Sequence, residues 1–189
     1  MTSPATVDFS RLQAALVTTS QKGAKNSQLT IDGSAIYWAP GVMEAAFEPR
    51  AFDGSDASRV SLCLRLPQPI LSQLDALDTA VLNIAQQNSQ AFFGKELTRD
   101  QISDRYISPV KTSAQHPPLF RPKINLAGAN PCRFWDATGC RAELPEYWAG
   151  AQVNSRICIK GLWFNAGQFG TLCEIHDAQV HLVAEQCPF

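Results

Sequence analysis

The sequence predicts a mainly β fold with one or two helices inserted between the strands. Short segments in which polar and apolar residues alternate recur along the chain, separated by turns rich in Gly, Pro and Asp. Apolar residues make up 45% of the 189 residues and charged residues 17%, as in a globular domain with a sizeable core. One longer segment, residues 69–84, has apolar residues at helical spacing instead.

The first third of the chain predicts an extension followed by two strand regions. Residues 1–28 are expected to form a flexible N-terminal extension, because the polar run 18–28 is typical of a linker. Residues 29–38 are rich in β-forming side chains. Residues 59–66 alternate cleanly, with one apolar face formed by Val60, Leu62, Leu64 and Leu66.

A helix is predicted next. Pro69 suits a first helical turn. A single apolar stripe follows, formed by Ile70, Leu74, Leu77, Val81 and Ile84. A second short helix is expected to begin near Thr98. Together these elements predict a helical insertion at about residues 68–104.

The rest of the chain predicts β structure. Residues 117–126 read as an extended segment and 132–136 as a short strand. Residues 153–183 predict a closing hairpin that turns at 165–168, with a bulge near His176 and Asp177. A five-stranded barrel with an inserted helix is the OB architecture, whose curved face binds oligonucleotides. We therefore expect an OB-fold-like barrel over residues 29–184, followed by a short tail, residues 185–189.

Charge is unevenly distributed along the chain. The net charge is −1, yet residues 105–160 hold eight Lys or Arg against three Asp or Glu. The same segment contains several aromatic residues, and this combination points to a polyanionic partner. The N-terminus lacks the features of a signal peptide and no run of about 18 apolar residues occurs, so a cytoplasmic protein without a membrane partner is expected.

The sequence gives little support for an enzyme or a metal site. The six cysteines form no Cys-x-x-Cys pair, and neither a phosphate-binding glycine loop nor a nucleophile elbow occurs. His176 and Asp177 could be combined with Cys132, Cys140 and His181, but their spacing matches no known ligand pattern. We expect free thiols, no metal, no cofactor and no catalytic residues.

Several segments resemble the OB-fold single-stranded DNA-binding proteins of phages and large DNA viruses. In the first half these are residues 36–40 and 47–52, followed by a strand and a helix. In the second half they are 117–124, 134–139, 144–150 and 161–180, in the same order. The resemblance implies binding of single-stranded DNA. It also implies that the terminal Phe189 contacts replication proteins, although this chain lacks the acidic tail that often precedes that aromatic residue.

The candidate nucleic-acid-binding residues combine cations with aromatic rings. Residues two apart on a strand share a face, so Arg121 and Lys123 are expected to project together, opposite Phe120. The full set of candidates is Trp38, Arg121, Lys123, Arg133, Trp135, Arg156, Lys160 and Trp163. The alternative for the cations is an ordinary solvated face, and for the tryptophans a place in the core. In the adjacent pairs Tyr37-Trp38 and Trp163-Phe164 only one ring of each can face the core.

The sequence thus predicts a protein that coats single-stranded DNA during phage or viral replication or recombination in the host cell. RNA binding and homo-oligomerisation are left open. The alternative is a phage or virus structural or assembly protein that uses the same aromatic and basic face as a protein–protein interface, since Trp and Arg are enriched there too.

Overall fold

Residues 6–21, 23–51 and 58–181 are described by the computed structural model. Its strands are β1 Leu12–Ala14, β2 Thr18–Thr19, β3 Lys25–Ile31, β4 Ile36–Trp38, β5 Val42–Glu44, β6 Arg50–Ala51, β7 Arg59–Ser61, β8 Leu64–Arg65, β9 Tyr106–Ile107, β10 Val110–Lys111, β11 Leu119–Phe120, β12 Lys123–Asn125, β13 Arg133–Trp135, β14 Arg141–Ala142, β15 Gln152–Asn165 and β16 Gln168–His181. Its helices are a 3-10 turn Phe9–Arg11, α1 Gln68–Gln87, α2 Ser89–Phe93 and α3 Arg99–Ser103. The prediction of a mainly β fold with a few inserted helices is confirmed.

A long antiparallel hairpin, β15 and β16, forms the centre of the large sheet. Its two strands of 14 residues meet at Ala166 and Gly167, whose φ angles of 47° and 81° suit a tight two-residue turn. Beyond β15 lie β3, β4 and β5, and beyond β16 lie β9, β12 and β13, which run parallel to it. The predicted bulge is present, because the register shifts between Arg156 and Ile157, opposite His176.

The large sheet follows the order β1-β3-β15-β16-β12-β7-β6, and β10-β11-β8 form a second sheet. Among the described strands, the hydrogen-bonded path does not return from β6 to β1. The closed five-stranded barrel expected from the sequence is therefore replaced by an open, OB-like arrangement. The long hairpin accounts for this difference, since it carries pairing partners along both of its edges.

An inner row of side chains crosses five neighbouring strands and forms the core. Direct strand pairing places it in the order Val60, Ile124, Ile175, Ile157 and Trp38, and all five are buried. Helix α1 covers this side, and the predicted stripe from Ile70 to Ile84 is buried as expected. The prediction of a helix beginning near Thr98 is confirmed, because the Thr98 and Gln101 side chains form a capping box at the start of α3.

The expectation of a flexible extension over residues 1–28 is wrong for the described part of that segment. Phe9 and Leu12 are buried in the core, and β1 pairs along β3 from Leu12 to Ala14. The polar composition of residues 18–28 is typical of a linker, yet residues 25–28 belong to β3, which is held by pairing with its partner β15. Within the described residues, none of the helices combines the length and apolar character needed to cross a bilayer.

Candidate nucleic-acid interface

A second row of side chains lies on the opposite side of the sheet from the core. Direct pairing across six strands places it in the order Arg50, Ser61, Lys123, Glu174, Cys158 and Tyr37. Five of these residues are one position away from a member of the inner row, so alternation along the strands turns them outward, and Arg50 joins them as the direct partner of Ser61. Five steps of about 4.8 Å between strands give this row a length of ~24 Å.

Three open clefts follow this row and are joined by shared residues. The first, of about 470 Å³, is lined by Phe47, Arg50, Lys111 and Arg121. The second, of about 540 Å³, shares Arg121 and Ser61 with the first and extends to Trp163. The third, of about 620 Å³, shares Trp163 and Leu172 with the second and reaches Tyr37 and His176. We call the row and its clefts, together with the neighbouring strands β13 and β14, the outer face.

Trp163 lies where the second and third clefts meet. Its partner across the hairpin is Gly170, and a Cβ atom at Gly170 would lie only 2.7 Å from the indole ring. The indole therefore lies directly over the Gly170 backbone, and its remaining surface borders the two clefts. The neighbouring Phe164 points the other way and contacts the rings of Phe92, Phe93 and Phe169.

Tyr37 is the aromatic residue at the far end of the outer row. Its side chain is 43% exposed. The guanidinium carbon of Arg156 lies 4.0 Å from the centre of its ring, which is within cation–π distance. The ring of His176 meets it edge-on at 5.6 Å. A ring and a cation are thus held side by side on an accessible surface.

Glu174 is a nearly buried carboxylate in the middle of the outer row, with 4% of its side chain exposed. Arg59 donates to its Oε1 at 2.5 Å, and the Lys160 ammonium lies 2.9 Å from its Oε2. Asn125 donates to Oε2 at 3.4 Å. A buried charge needs such partners, so Glu174 fixes the positions of two cations and neutralises part of their charge.

Asp177 plays the same role one bulge further along β16. Arg133 approaches both of its oxygens, at 2.7 and 2.8 Å, and Arg156 donates at 3.2 Å. The indole nitrogen of Trp135 donates to Oδ1 at 3.0 Å. Burial alone would raise the pKa of Asp177, but the hydrogen bonds and charges of these partners bring it below its ordinary value. Asp177 is therefore ionised at neutral pH.

Trp135 has its own cations close to its ring. The guanidinium carbons of Arg133 and Arg141 lie 5.8 and 5.6 Å from the ring centre. Because its indole nitrogen is also bonded to Asp177, the ring is held in place. We call Arg59, Arg133, Arg156 and Lys160, with the two acids, the paired region of the outer face.

The first cleft differs from the paired region in its charge balance. Across residues 6–21, 23–51 and 58–181, the side chains of Arg50, Lys111 and Arg121 have neither an ion pair nor a hydrogen bond. Among the described residues that line this cleft, Glu48 is the one acid, and it accepts instead from the backbone N–H groups of Trp148 and Ala149. We call Phe47, Arg50, Lys111 and Arg121 the open region.

Lys123 connects the two regions. Its ammonium donates to Ser61 Oγ at 2.6 Å. Partial burial lowers the pKa of Lys123, and the nearby positive charges of Arg59 and Arg121 lower it further. Three cations, Arg59, Arg121 and Lys123, thus line the second cleft close to one another.

The sequence of residues 53–188 matches the model of a protein family described as a family of unknown function (DUF5871). The match spans well over half of the chain. The chain belongs to this family. No curated protein matches it by sequence.

Solved structures of phage proteins share the fold of this family member. The single-stranded DNA-binding protein from bacteriophage Enc34, in complex with ssDNA, aligns with a TM-score of 0.52 at 8% identity over 94% of this chain and 99% of that chain. A C-terminal truncation of the Enc34 protein gives 0.53 at 9% identity over 90% and 98%. The single-stranded DNA-binding protein gp2.5 of bacteriophage T7 gives 0.56 at 11% identity over 82% and 91%. At these identities the likeness is one of fold, and it confirms the fold resemblance inferred from the sequence.

The structure places most of the candidate residues on the outer face. Arg121, Lys123, Lys160 and Trp163 line its clefts or its row, Arg156 lies against the ring of Tyr37, and Arg133 and Trp135 lie beside them on β13. Their role in binding stays a prediction. The remaining candidate, Phe189, lies outside the described residues.

Trp38 was the wrong choice within the pair Tyr37-Trp38. It is 1% exposed, its ring contacts Phe120, and its indole nitrogen donates to Gln73 of α1 at 2.9 Å. It cannot stack on a base. Ile36 and Trp38 are in the same phase of the alternation and both are buried, so the phase of this strand could have identified Tyr37 as the outward ring.

Sequence reasoning missed five residues that the fold brings to the outer face, namely Tyr37, Phe47, Arg50, Arg59 and Lys111. The alternation of residues 59–66 carried a signal for Arg59, which is out of phase with the buried Val60. Arg50 and Lys111 had no such signal, because each lies on a strand of only two residues. Among the described residues, no cluster of three or more His, Cys, Asp or Glu side chains is suited to hold a metal ion.

Proposed function

We propose that this chain binds single-stranded DNA without sequence preference, through the outer face, during phage or viral DNA replication or recombination. The observation that carries the proposal is the continuity of this face, where aromatic rings and cations border a single row and its clefts over ~24 Å. The fold shared with two phage proteins, both described as single-stranded DNA-binding and one solved with ssDNA, supports it.

The rings would supply the contacts to bases. Trp163 and Tyr37 both line the third cleft, so a base lying in it would contact them. Stacking on an aromatic side chain contributes about 1–3 kcal/mol per base and tolerates any sequence, because every base has a π-face. Trp163 would contribute most, because guanidinium groups already lie against the other two rings, Arg156 on Tyr37 and both Arg133 and Arg141 on Trp135.

The cations would supply the contacts to phosphates. Lys123 and Arg121 border the second cleft, and Arg156 and Lys160 border the clefts beside Tyr37 and Trp135. Each phosphate neutralised on a single strand releases counterions, so log affinity should fall against log salt with a slope of about −0.7 per phosphate. RNA offers the same phosphates and base faces, and a parallel titration with oligo-U would determine the preference. No chemical step is part of the proposed role.

Titration of the full chain with oligo-dT tests this proposal. Tryptophan fluorescence should be quenched as bases stack on Trp163, and it should recover when salt is added. Trp163→Ala combined with Tyr37→Ala should weaken binding measured with a labelled oligonucleotide. The matched control is Arg99→Ala on helix α3, where the guanidinium bonds only to Asn83, and its affinity should be close to that of the wild type. A wild-type chain that does not respond to oligo-dT at low salt would exclude the proposal and favour an assembly protein.

A further inference from the structure

We infer that the open region, formed by Phe47, Arg50, Lys111 and Arg121, is the main binding site for the phosphodiester backbone of the strand. This inference rests on the proposed function and identifies where on the outer face most of the salt-dependent affinity originates. None of the sequence signals pointed to Phe47, Arg50 or Lys111 as binding residues.

The first argument is charge balance. Arg50, Lys111 and Arg121 line one cleft, and within the described parts of the chain no carboxylate pairs with them. In the paired region, by contrast, Glu174 and Asp177 each hold two cations at 2.5 to 3.2 Å. A phosphate that binds there must compete with a carboxylate that is already in place, whereas in the open region it meets cations that have only water and mobile counterions to displace.

The second argument is geometry. Arg50 pairs directly with Ser61, whose hydroxyl accepts from Lys123, so the open region continues the outer row without a break. Lys111 lies opposite Leu119 on β11, and Arg121 follows two positions later, so both project into the same cleft. A strand running along the row would therefore meet cations on both walls of this cleft before it reaches Trp163.

The third argument is the ring of Phe47. Its side chain is 53% exposed, although it belongs to a segment that is tied to neighbouring strands on either side, through Ala45 and Ala46. An exposed ring on an ordered backbone, beside unpaired cations, matches the chemistry of single-stranded nucleic acid, in which a base and a phosphate occur in every nucleotide. Phe47 would stack a base while the cations neutralise the adjacent phosphates.

Two triple variants with the same change in charge test this inference. The first carries Arg50→Gln, Lys111→Gln and Arg121→Gln, and the second carries Arg133→Gln, Arg156→Gln and Lys160→Gln. Affinity for a labelled oligo-dT is measured over a range of salt concentrations. The first variant should lose about two units of the slope of log affinity against log salt, because three contacts at ~0.7 each are removed. The second should lose less than one unit, because Glu174 and Asp177 already neutralise part of the charge of these cations.

A footprint on the unmodified protein avoids the risk that a triple variant unfolds. Reaction of lysines with an amine-directed reagent, followed by mass spectrometry, compares the free chain with the chain saturated by oligo-dT. Lys111 should become several-fold less reactive, while Lys95, which lies after helix α2 in a separate cleft, should not change.

The possible results separate the two proposals. If the wild type binds oligo-dT but the second triple variant loses as much slope as the first or more, or if Lys111 stays fully reactive in the complex, the inference is overturned and the proposed function stands. If the wild type does not bind oligo-dT at any salt concentration, the proposed function itself is wrong, and the inference with it.

Discussion

The two ends of the outer face carry similar cations in different surroundings. In the paired region, four cations share the carboxylates of Glu174 and Asp177, and these acids lie almost buried beneath them. In the open region, Arg50, Lys111 and Arg121 share a cleft with Glu48, whose carboxylate is occupied by backbone N–H groups. Counting basic residues would rank the paired region, with four, above the open region, with three, whereas the acid partners of the paired cations offset part of that charge.

The difference shows how one sheet surface can hold some side chains in defined positions and still attract a polyanion electrostatically. Buried acids hold the arginines beside Tyr37 and Trp135 in defined positions, at the cost of part of their charge. Cations without acid partners keep their full electrostatic attraction but have more conformational freedom to lose on binding. We expect the paired region to orient bases and the open region to attract the backbone.

The largest expected effect is on stability, and it distinguishes a core residue from its neighbour on the outer face. Trp38→Ala should lower the free energy of unfolding by roughly 3–5 kcal/mol, because it leaves a cavity in the core. Tyr37→Ala, one residue away, should change stability by less than about 1 kcal/mol but should weaken oligo-dT binding. Denaturant unfolding and a binding titration on both variants check this. Equal losses of stability would mean that Tyr37 belongs to the core rather than to the interface.

The alternation that separates these two neighbours was readable in the sequence, as were other local features. The stripe of α1, the capping box of α3, the tight turn of the hairpin and its bulge all follow from residues close together in the chain. The open barrel did not follow, because it depends on β16 taking parallel partners from three separate segments.

The pairing of cations with acids could not be predicted from the sequence for the same reason. Arg59 and Glu174 are 115 positions apart, and Arg133 and Asp177 are 44 apart. Spacing along the chain gives no information about such contacts, so the sequence indicated which cations share a segment but not which of them are neutralised. The candidate site was therefore largely predicted in its residues and only partly in its electrostatics.

The next effect compares a tryptophan near each region. Trp163→Ala should weaken oligo-dT binding by about 1–3 kcal/mol, because its ring borders two clefts. Trp135→Ala should cost under ~1 kcal/mol of affinity, because Arg133 and Arg141 already lie against that ring. Anisotropy of a labelled oligonucleotide measures both variants. A larger loss for Trp135→Ala would show that the paired region, not the clefts around Trp163, dominates base stacking.

Removing the acid partner of two cations should have a smaller effect, which lowers stability but raises affinity for the strand. Glu174→Gln removes the charge that neutralises Arg59 and Lys160 while keeping the shape of the side chain. Stability should fall by roughly 1–2 kcal/mol, because the two cations lose their partner. Oligo-dT affinity at low salt should rise, and the salt slope should steepen by up to about one unit. Thermal unfolding and salt titrations measure the two effects, and a loss of affinity would mean that Glu174 acts mainly by positioning the cations.

The smallest effect is a pH dependence that arises at the boundary of the paired region. Burial lowers the pKa of His176, and the positive charges of Lys160 and Arg156 lower it further, against the opposing influence of Glu174 and Asp177. The imidazole also meets the ring of Tyr37 at 5.6 Å. It is therefore neutral in the free protein at pH 7, and the contribution of this group to stability declines as pH falls below about 6.5, where the unfolded chain takes up the proton first.

A bound phosphate would favour the protonated imidazole and raise its pKa, so binding should take up a proton. Oligo-dT affinity should consequently increase as the pH is lowered from 7.5 towards 5.5, by less than tenfold, since one pKa unit corresponds to tenfold. His176→Gln should remove this increase. Binding titrations at several pH values, at constant ionic strength, measure it. An unchanged pH profile in His176→Gln would mean that the phosphates pass the paired region at a distance, which would leave the open region as the place where the backbone is held.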